Sequence, residues 1–66
     1  MQPVANTVQK HRHVAHLTHQ ELATKVGVTR QTIIAIEKGN YTPSVLLALK
    51  LAKLFKMPVE HLFHLL

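Results

Sequence analysis

The chain of 66 residues has no cysteine and no long apolar run. Without cysteine it has no disulfide and no thiolate ligand for a metal. No stretch approaches the roughly 18 consecutive apolar residues of a membrane span. The N-terminal letters MQPVANTVQKHRH also lack the apolar centre of a secretory signal. We therefore expect a cytoplasmic protein that makes no use of the membrane.

Acidic side chains are scarce: the sequence has three, Glu21, Glu37 and Glu60. Eight Lys and Arg residues outnumber them, and the formal net charge is +5. No set of nucleophile, base and orienting group can be assembled from so few carboxylates, so we predict that the protein is not an enzyme. A basic balance favours polyanionic partners, nucleic acid first and an anionic membrane surface second.

Apolar residues recur at helical spacing throughout, and no segment alternates for long enough to predict a sheet. The sequence predicts one all-α domain over residues 1–66. Its five helices span about 6–16, 19–26, 30–38, 43–55 and 58–65, and the first directs Val4, Val8 and Ala15 to the core. Their start and stop signals are the Thr18–Glu21 capping box, a turn at Gly27, and N-caps at Thr29 and Thr42.

The second and third of these helices are separated by a short turn containing glycine, in the segment THQELATKVGVTRQTIIAIEKG. This is the pattern of a helix-turn-helix over about 18–38. The inward Ile33 and Ile36 would hold the third helix on its scaffold, while Arg30 and Gln31 at its start could read bases in a major groove. The alternative is a helical hairpin with no nucleic-acid role, and the pattern and charge alone leave both open.

The segment LTHQELATKVGVTRQTIIAIEKGNYTPSVLLALKLAK resembles the Xre/Cro-type helix-turn-helix regulators related to the lambda repressor. The resemblance covers about residues 8–63 and implies a compact five-helix domain that binds double-stranded DNA. It implies a structural ion pair between Arg12 and Glu37. It also implies base contacts from Arg30, Gln31, Thr32 and Ala35, and backbone contacts from His19, Thr29, Lys38, Asn40, Tyr41 and Thr42.

Relatives of this compact kind act as dimers, so the resemblance predicts a homodimeric repressor on a palindromic operator. Apolar residues near the C-terminal end supply the expected dimer surface: Leu46, Leu62, Phe63, Leu65 and Leu66. Several of these could instead frame the core of a monomer. The rival function is an antitoxin-type protein-interaction module that also binds DNA.

Histidines depart from the family pattern. There are six, and His16 stands where relatives have a glycine in the turn. Pairs such as His61 and His64, three residues apart, suggest a metal site, but too few other ligands are present to complete one. We therefore expect no metal, cofactor or small-molecule ligand. Ile34 is equally unusual, and either covers the flank of the first helix or touches a thymine methyl.

Overall fold

The computed structural model describes residues 4–66, which form five helices and two short strands. In chain order these are β1 (Val4–Asn6), α1 (Val8–Val14), α2 (His19–Val26), α3 (Arg30–Glu37), α4 (Val45–Leu54), α5 (Val59–Leu62) and β2 (Phe63–Leu65). The number of helices agrees with the prediction from the sequence. Over this described range, no helix has the length and hydropathy of a membrane span.

The core lies where the helices meet and is almost entirely aliphatic. Its largest fully buried side chains are Val8, Leu22, Ile33, Ile36, Leu51 and Leu62. Leu62 therefore belongs to the core of its own chain, and its prediction as a dimer-surface residue is wrong. The reason is that α5 is a single turn whose apolar side must face α4 to be buried at all.

The first helix is shorter than predicted. It ends at Val14 because His16 adopts a left-handed backbone with φ 58°, a conformation that interrupts an α-helix. Ala15, predicted to face the core, is exposed outside the helix. The chain then turns, and the Leu17 N–H donates to the carbonyl of Arg12 at 3.1 Å.

A two-stranded antiparallel sheet was not predicted. In it β1 pairs with β2, with Val4 opposite Leu65 and Asn6 opposite Phe63. The predicted C-terminal helix over 58–65 is wrong beyond Leu62, where the chain becomes extended. Three-residue strands are too short to show a period of two, and their partners lie at opposite ends of the sequence.

Side-chain caps set the starts of α2, α3 and α4. The predicted capping box is present at α2, where Thr18 and Glu21 bond each other's backbone N–H. Thr29 caps α3 as predicted. For α4, however, Ser44 rather than Thr42 is the N-cap, since its hydroxyl accepts from the Leu47 N–H at 3.1 Å. The predicted start at Pro43 is therefore wrong by two residues, because serine is the stronger cap.

Candidate nucleic-acid interface

The helices α2 and α3 form the helix-turn-helix that the sequence predicted. Gly27 ends α2 in a left-handed conformation with φ 75°, which lets the chain reverse before Thr29 opens α3. Ile33 and Ile36 of α3 are fully buried. The apolar side of α3 thus packs into the core, and the opposite side of the helix is left to face a ligand.

The N-terminal tip of α3 is held by two threonines. The Thr29 hydroxyl accepts from the Thr32 N–H at 3.3 Å and lies 3.0 Å from the Thr32 hydroxyl. One of the free N–H groups at the helix start is therefore satisfied within the chain. The remaining ones add a partial positive charge at the tip, which favours a nearby phosphate.

The outward face of α3 carries the predicted DNA-contacting residues. Arg30, Gln31 and Lys38 are exposed, and Ala35 is half-buried. Spacing of 3.6 residues per turn places these four on one side of the helix, opposite Ile33 and Ile36. Thr32 is half-buried at the edge of this face, with its hydroxyl directed to Thr29.

The loop between α3 and α4 lies beside the same tip. Asn40, Tyr41 and Thr42 are all exposed, and Tyr41 retains 46% of its accessible surface. A depression of about 250 Å³ joins this loop to the helix-turn-helix. Its lining includes Gly27, Thr32, Tyr41, Ser44, Leu46 and Lys50. The loop and the tip of α3 therefore present one continuous surface.

A buried carboxylate fixes how α3 sits on the other helices. Arg12 of α1 donates to both oxygens of Glu37, through Nε at 2.7 Å and Nη2 at 3.2 Å. Both side chains are more than nine-tenths buried. Arg12 also donates through Nη1 to the carbonyl of Leu17 at 2.9 Å. The pair implied by the resemblance is thus a bidentate bond that joins α1, the following turn and α3.

His19 shares that carboxylate. Its Nε2 lies 3.0 Å from Oε1 of Glu37, and 30% of its side chain is exposed. The predicted role of His19 was a backbone contact to DNA, and the structure adds a second role at the base of α3. Ile34 lies next to it, half-buried in a depression of about 200 Å³ that Gln9 of α1 also lines. This position favours the first of the two alternatives for Ile34, cover for the flank of α1.

The predicted dimer residues are not gathered in one place. Leu65 and Leu66 are exposed at 64% and 73%, on and after β2, whereas Phe63 is half-buried against the core. Leu46 is exposed at 64% but lies on α4, in the depression beside the helix-turn-helix. Across residues 4–66, no three His, Cys, Asp or Glu side chains come together as a metal site would require.

Two residues that position this surface were not identified from the sequence. The Asn6 side chain donates to the Ile36 carbonyl at 2.8 Å and accepts from the Val8 N–H at 3.1 Å, so it ties β1 and α1 to the end of α3. Its partner is 30 positions away, and no local pattern marks it. The position of Ser44 could have been predicted as an N-cap, because it is a serine directly before an apolar helical run.

Comparisons with known proteins agree with this geometry. The family model described as Helix-turn-helix matches residues 15–62. The chain is 52% identical over 58 residues to an HTH-type transcriptional regulator of Methanocaldococcus jannaschii, covering 88% of each chain. It is 50% identical to another from Bacillus subtilis, again covering 88% of each. It is also similar in structure to the restriction-modification controller protein C.AhdI from Aeromonas hydrophila, with a TM-score of 0.73 and 24% identity, covering 82% of this chain and 78% of that one.

Proposed function

The chain belongs to the helix-turn-helix family of DNA-binding transcriptional regulators, and from that premise we propose that it is a cytoplasmic, dimeric repressor of a palindromic operator. The observation that carries the proposal is the outward face of α3. There Arg30 and Gln31 are exposed beside a capped helix tip, while Ile33 and Ile36 hold the opposite side in the core.

Base reading is assigned to the start of α3. Arg30 suits the two acceptors of guanine, and Gln31 suits the acceptor and donor of adenine, each in a bidentate contact. Ala35 lies one turn along the same side and offers a methyl contact. Thr32 stands at the edge of the face, where its own methyl can meet a thymine. Arg30 and Gln31 are therefore the main source of sequence preference.

Contacts to the DNA backbone surround these readers and set the register. Lys38 lies at the end of α3, Asn40, Tyr41 and Thr42 lie in the following loop, and His19 and Thr29 lie at the starts of α2 and α3. Most of these are exposed polar side chains, as phosphate contacts require. With a net charge of +5, affinity should fall steeply as salt rises.

Dimerisation supplies the symmetry of the operator. Two recognition helices read successive major grooves on one face of DNA when they are about 34 Å, or 10 base pairs, apart. The described chain measures 30 × 23 × 20 Å, so two copies side by side fit that separation. Leu65 and Leu66 are the exposed apolar residues at the C-terminal end of the described chain. Occupying a promoter in this way would repress it.

Selection from a random DNA pool tests the proposal. We expect enrichment of a palindrome with half-sites about one helical turn apart, and binding to it that weakens as salt rises. The mass of the complex should correspond to two chains per site. A chain that enriches no sequence and binds DNA without salt dependence would refute the proposal.

The second candidate is an antitoxin-type interaction module that also binds DNA. The apolar outer side of α4 favours it, because Val45, Leu46 and Leu49 are 75%, 64% and 52% exposed. Contiguous exposed apolar residues commonly mark protein contacts. Replacing Leu49 with Glu separates the two candidates: a repressor keeps its operator affinity, whereas an interaction module loses its protein partner.

A further inference from the structure

In the two-stranded sheet of the described chain, β2 pairs with β1 along one edge and with no strand along its other edge. All three residues of β1 are half-buried, whereas His64 and Leu65 of β2 are exposed. Asn6 of β1 also bonds to α3, which places β1 on the inner side of the pair. The sheet thus has one strand against the body of the protein and one whose far edge faces outward.

The hydrogen-bond pattern shows which groups that edge presents. The Thr7 N–H donates to the Leu62 carbonyl at 3.0 Å, in register with the pairing of Ala5 and His64. In an antiparallel pair the intervening residues direct their backbone groups away from the partner. The Phe63 N–H already bonds to the Val59 carbonyl. The N–H and carbonyl of Leu65 and the carbonyl of Phe63 therefore point outward.

β2 is only three residues long, and short length is one of the ways in which sheet edges are protected from pairing with another strand. The other usual protections are lysine, proline, a bulge or a covering element. Phe63, His64 and Leu65 include no lysine or proline, and their register with β1 is regular. Leu65 remains 64% exposed beside the outward groups.

We propose that a second copy of this chain occupies the edge, so that β2 pairs with β2 of its partner in an antiparallel four-stranded sheet. This proposal rests on the dimer of the proposed function, and it identifies β2 as the segment through which the two copies of that dimer contact each other. A two-fold axis at His64 brings the Leu65 N–H of each copy to the partner's Phe63 carbonyl. The Leu65 donor and the Phe63 acceptor, two residues apart, make the edge complementary to itself, which favours a second copy over an unrelated strand.

The position of the sheet is compatible with DNA binding. Asn6 bonds to the carbonyl of Ile36, so the sheet lies near the C-terminal end of α3. The tip at Thr29 lies at the other end of this eight-residue helix, about 12 Å away at 1.5 Å per residue. Pairing through β2 therefore leaves the tip uncovered. The contact is short, so operator DNA should stabilise the dimer by mass action.

A single engineered cysteine tests the pairing directly, because the chain has none of its own. Residues facing each other in the non-hydrogen-bonded pair at the axis have Cα atoms about 4.5 Å apart, a distance that a disulfide can span. Under mild oxidation with operator DNA, His64→Cys should form a covalent dimer much faster than Val14→Cys, which is also exposed at 69%. Equal rates for the two variants would overturn the proposal.

Leu65→Pro provides a second test that acts on the backbone. Proline removes the outward N–H but leaves the pairing with β1 intact, as it does in natural edge strands. We expect an affinity for the full palindrome at least about tenfold lower than that of Leu65→Val, with the same affinity for a half-site. Unchanged full-site affinity would overturn the proposal. If Leu65→Pro fails to fold, the comparison of His64→Cys with Val14→Cys still tests the pairing of β2 with β2.

Failure of the proposed function would look different. If the native chain shows no salt-sensitive DNA binding, the regulator proposal fails. The cysteine pair, compared without DNA at high protein concentration, then still decides whether β2 pairs with its partner.

Discussion

Nε2 of His19 and Oε1 of Glu37 lie 3.0 Å apart, on a carboxylate that Arg12 also holds through Nε at 2.7 Å. One buried acid thus receives bonds from α1 and from the start of α2 while standing at the end of α3. The orientation of α3 depends on this carboxylate as well as on the apolar core.

Removing the carboxylate should be strongly destabilising. Glu37→Ala leaves the buried Arg12 without its counter-charge, which typically costs about 3–5 kcal/mol. Urea unfolding measures this loss as a lower midpoint at an unchanged slope. The control is Glu60→Ala, because Glu60 is exposed and should change stability by less than about 0.5 kcal/mol. Similar losses in the two variants would contradict the assigned role of Glu37.

The cap of α4 gives a matched pair of substitutions. Ser44→Ala removes the hydroxyl that accepts from the Leu47 N–H and should cost about 1 kcal/mol. Thr42→Ala, two residues earlier, removes no cap and should change stability by less than about 0.5 kcal/mol. Thermal or urea unfolding distinguishes them. A larger loss for Thr42→Ala would restore the start that the sequence predicted.

The capping box of α2 should contribute to the pH dependence of stability. Hydrogen bonds from the backbone N–H and then the hydroxyl of Thr18 hold the pKa of Glu21 below its ordinary value of 4.5. A lowered pKa stabilises the fold above the unfolded value, and this contribution disappears as pH falls through the folded pKa. Glu21→Gln should therefore lose less stability between neutral and acid pH than the native chain. Glu60→Gln is the control, and a native-like acid loss in Glu21→Gln would contradict the prediction.

Base readers and phosphate contacts should respond differently to alanine. Arg30→Ala and Gln31→Ala should each reduce discrimination between operator variants by about 1–3 kcal/mol. Lys38→Ala should instead weaken binding to all sequences alike and reduce the salt slope by about one. Binding titrations on the selected operator and its single-base variants, at several salt concentrations, provide both measurements. Uniform loss on every DNA from Arg30→Ala would refute its role as a reader.

Local signals in the sequence were sufficient for much of this structure. The capping box at Thr18, the turn at Gly27 and the cap at Thr29 depend on neighbours within four positions, and all three were predicted correctly. Near Pro43 two local preferences competed, and the preference of proline for a first helical turn gave the wrong start for α4. There Ser44, the stronger cap, set the boundary.

Contacts between residues far apart in the sequence could not be predicted from such local signals. The sheet and the bond from Asn6 to Ile36 depend on residues that meet only in the folded chain. Burial of Leu62 follows from the packing of α5, and the apolar content of the C-terminal segment does not reveal it. His19 shows the same limit within the candidate site, since its contact with Glu37 spans 18 positions.

The pairing of β1 with β2 also determines when the edge of β2 can exist. Val4 and Leu65 are 61 positions apart (65 − 4), so closing this contact carries a large loop-entropy cost unless the helices between them have already formed. The sheet should therefore be among the last elements to assemble. A chain whose helix-turn-helix is still unfolded would present no ordered β2, so the order of folding itself would keep incomplete molecules out of the proposed pairing of β2 with β2.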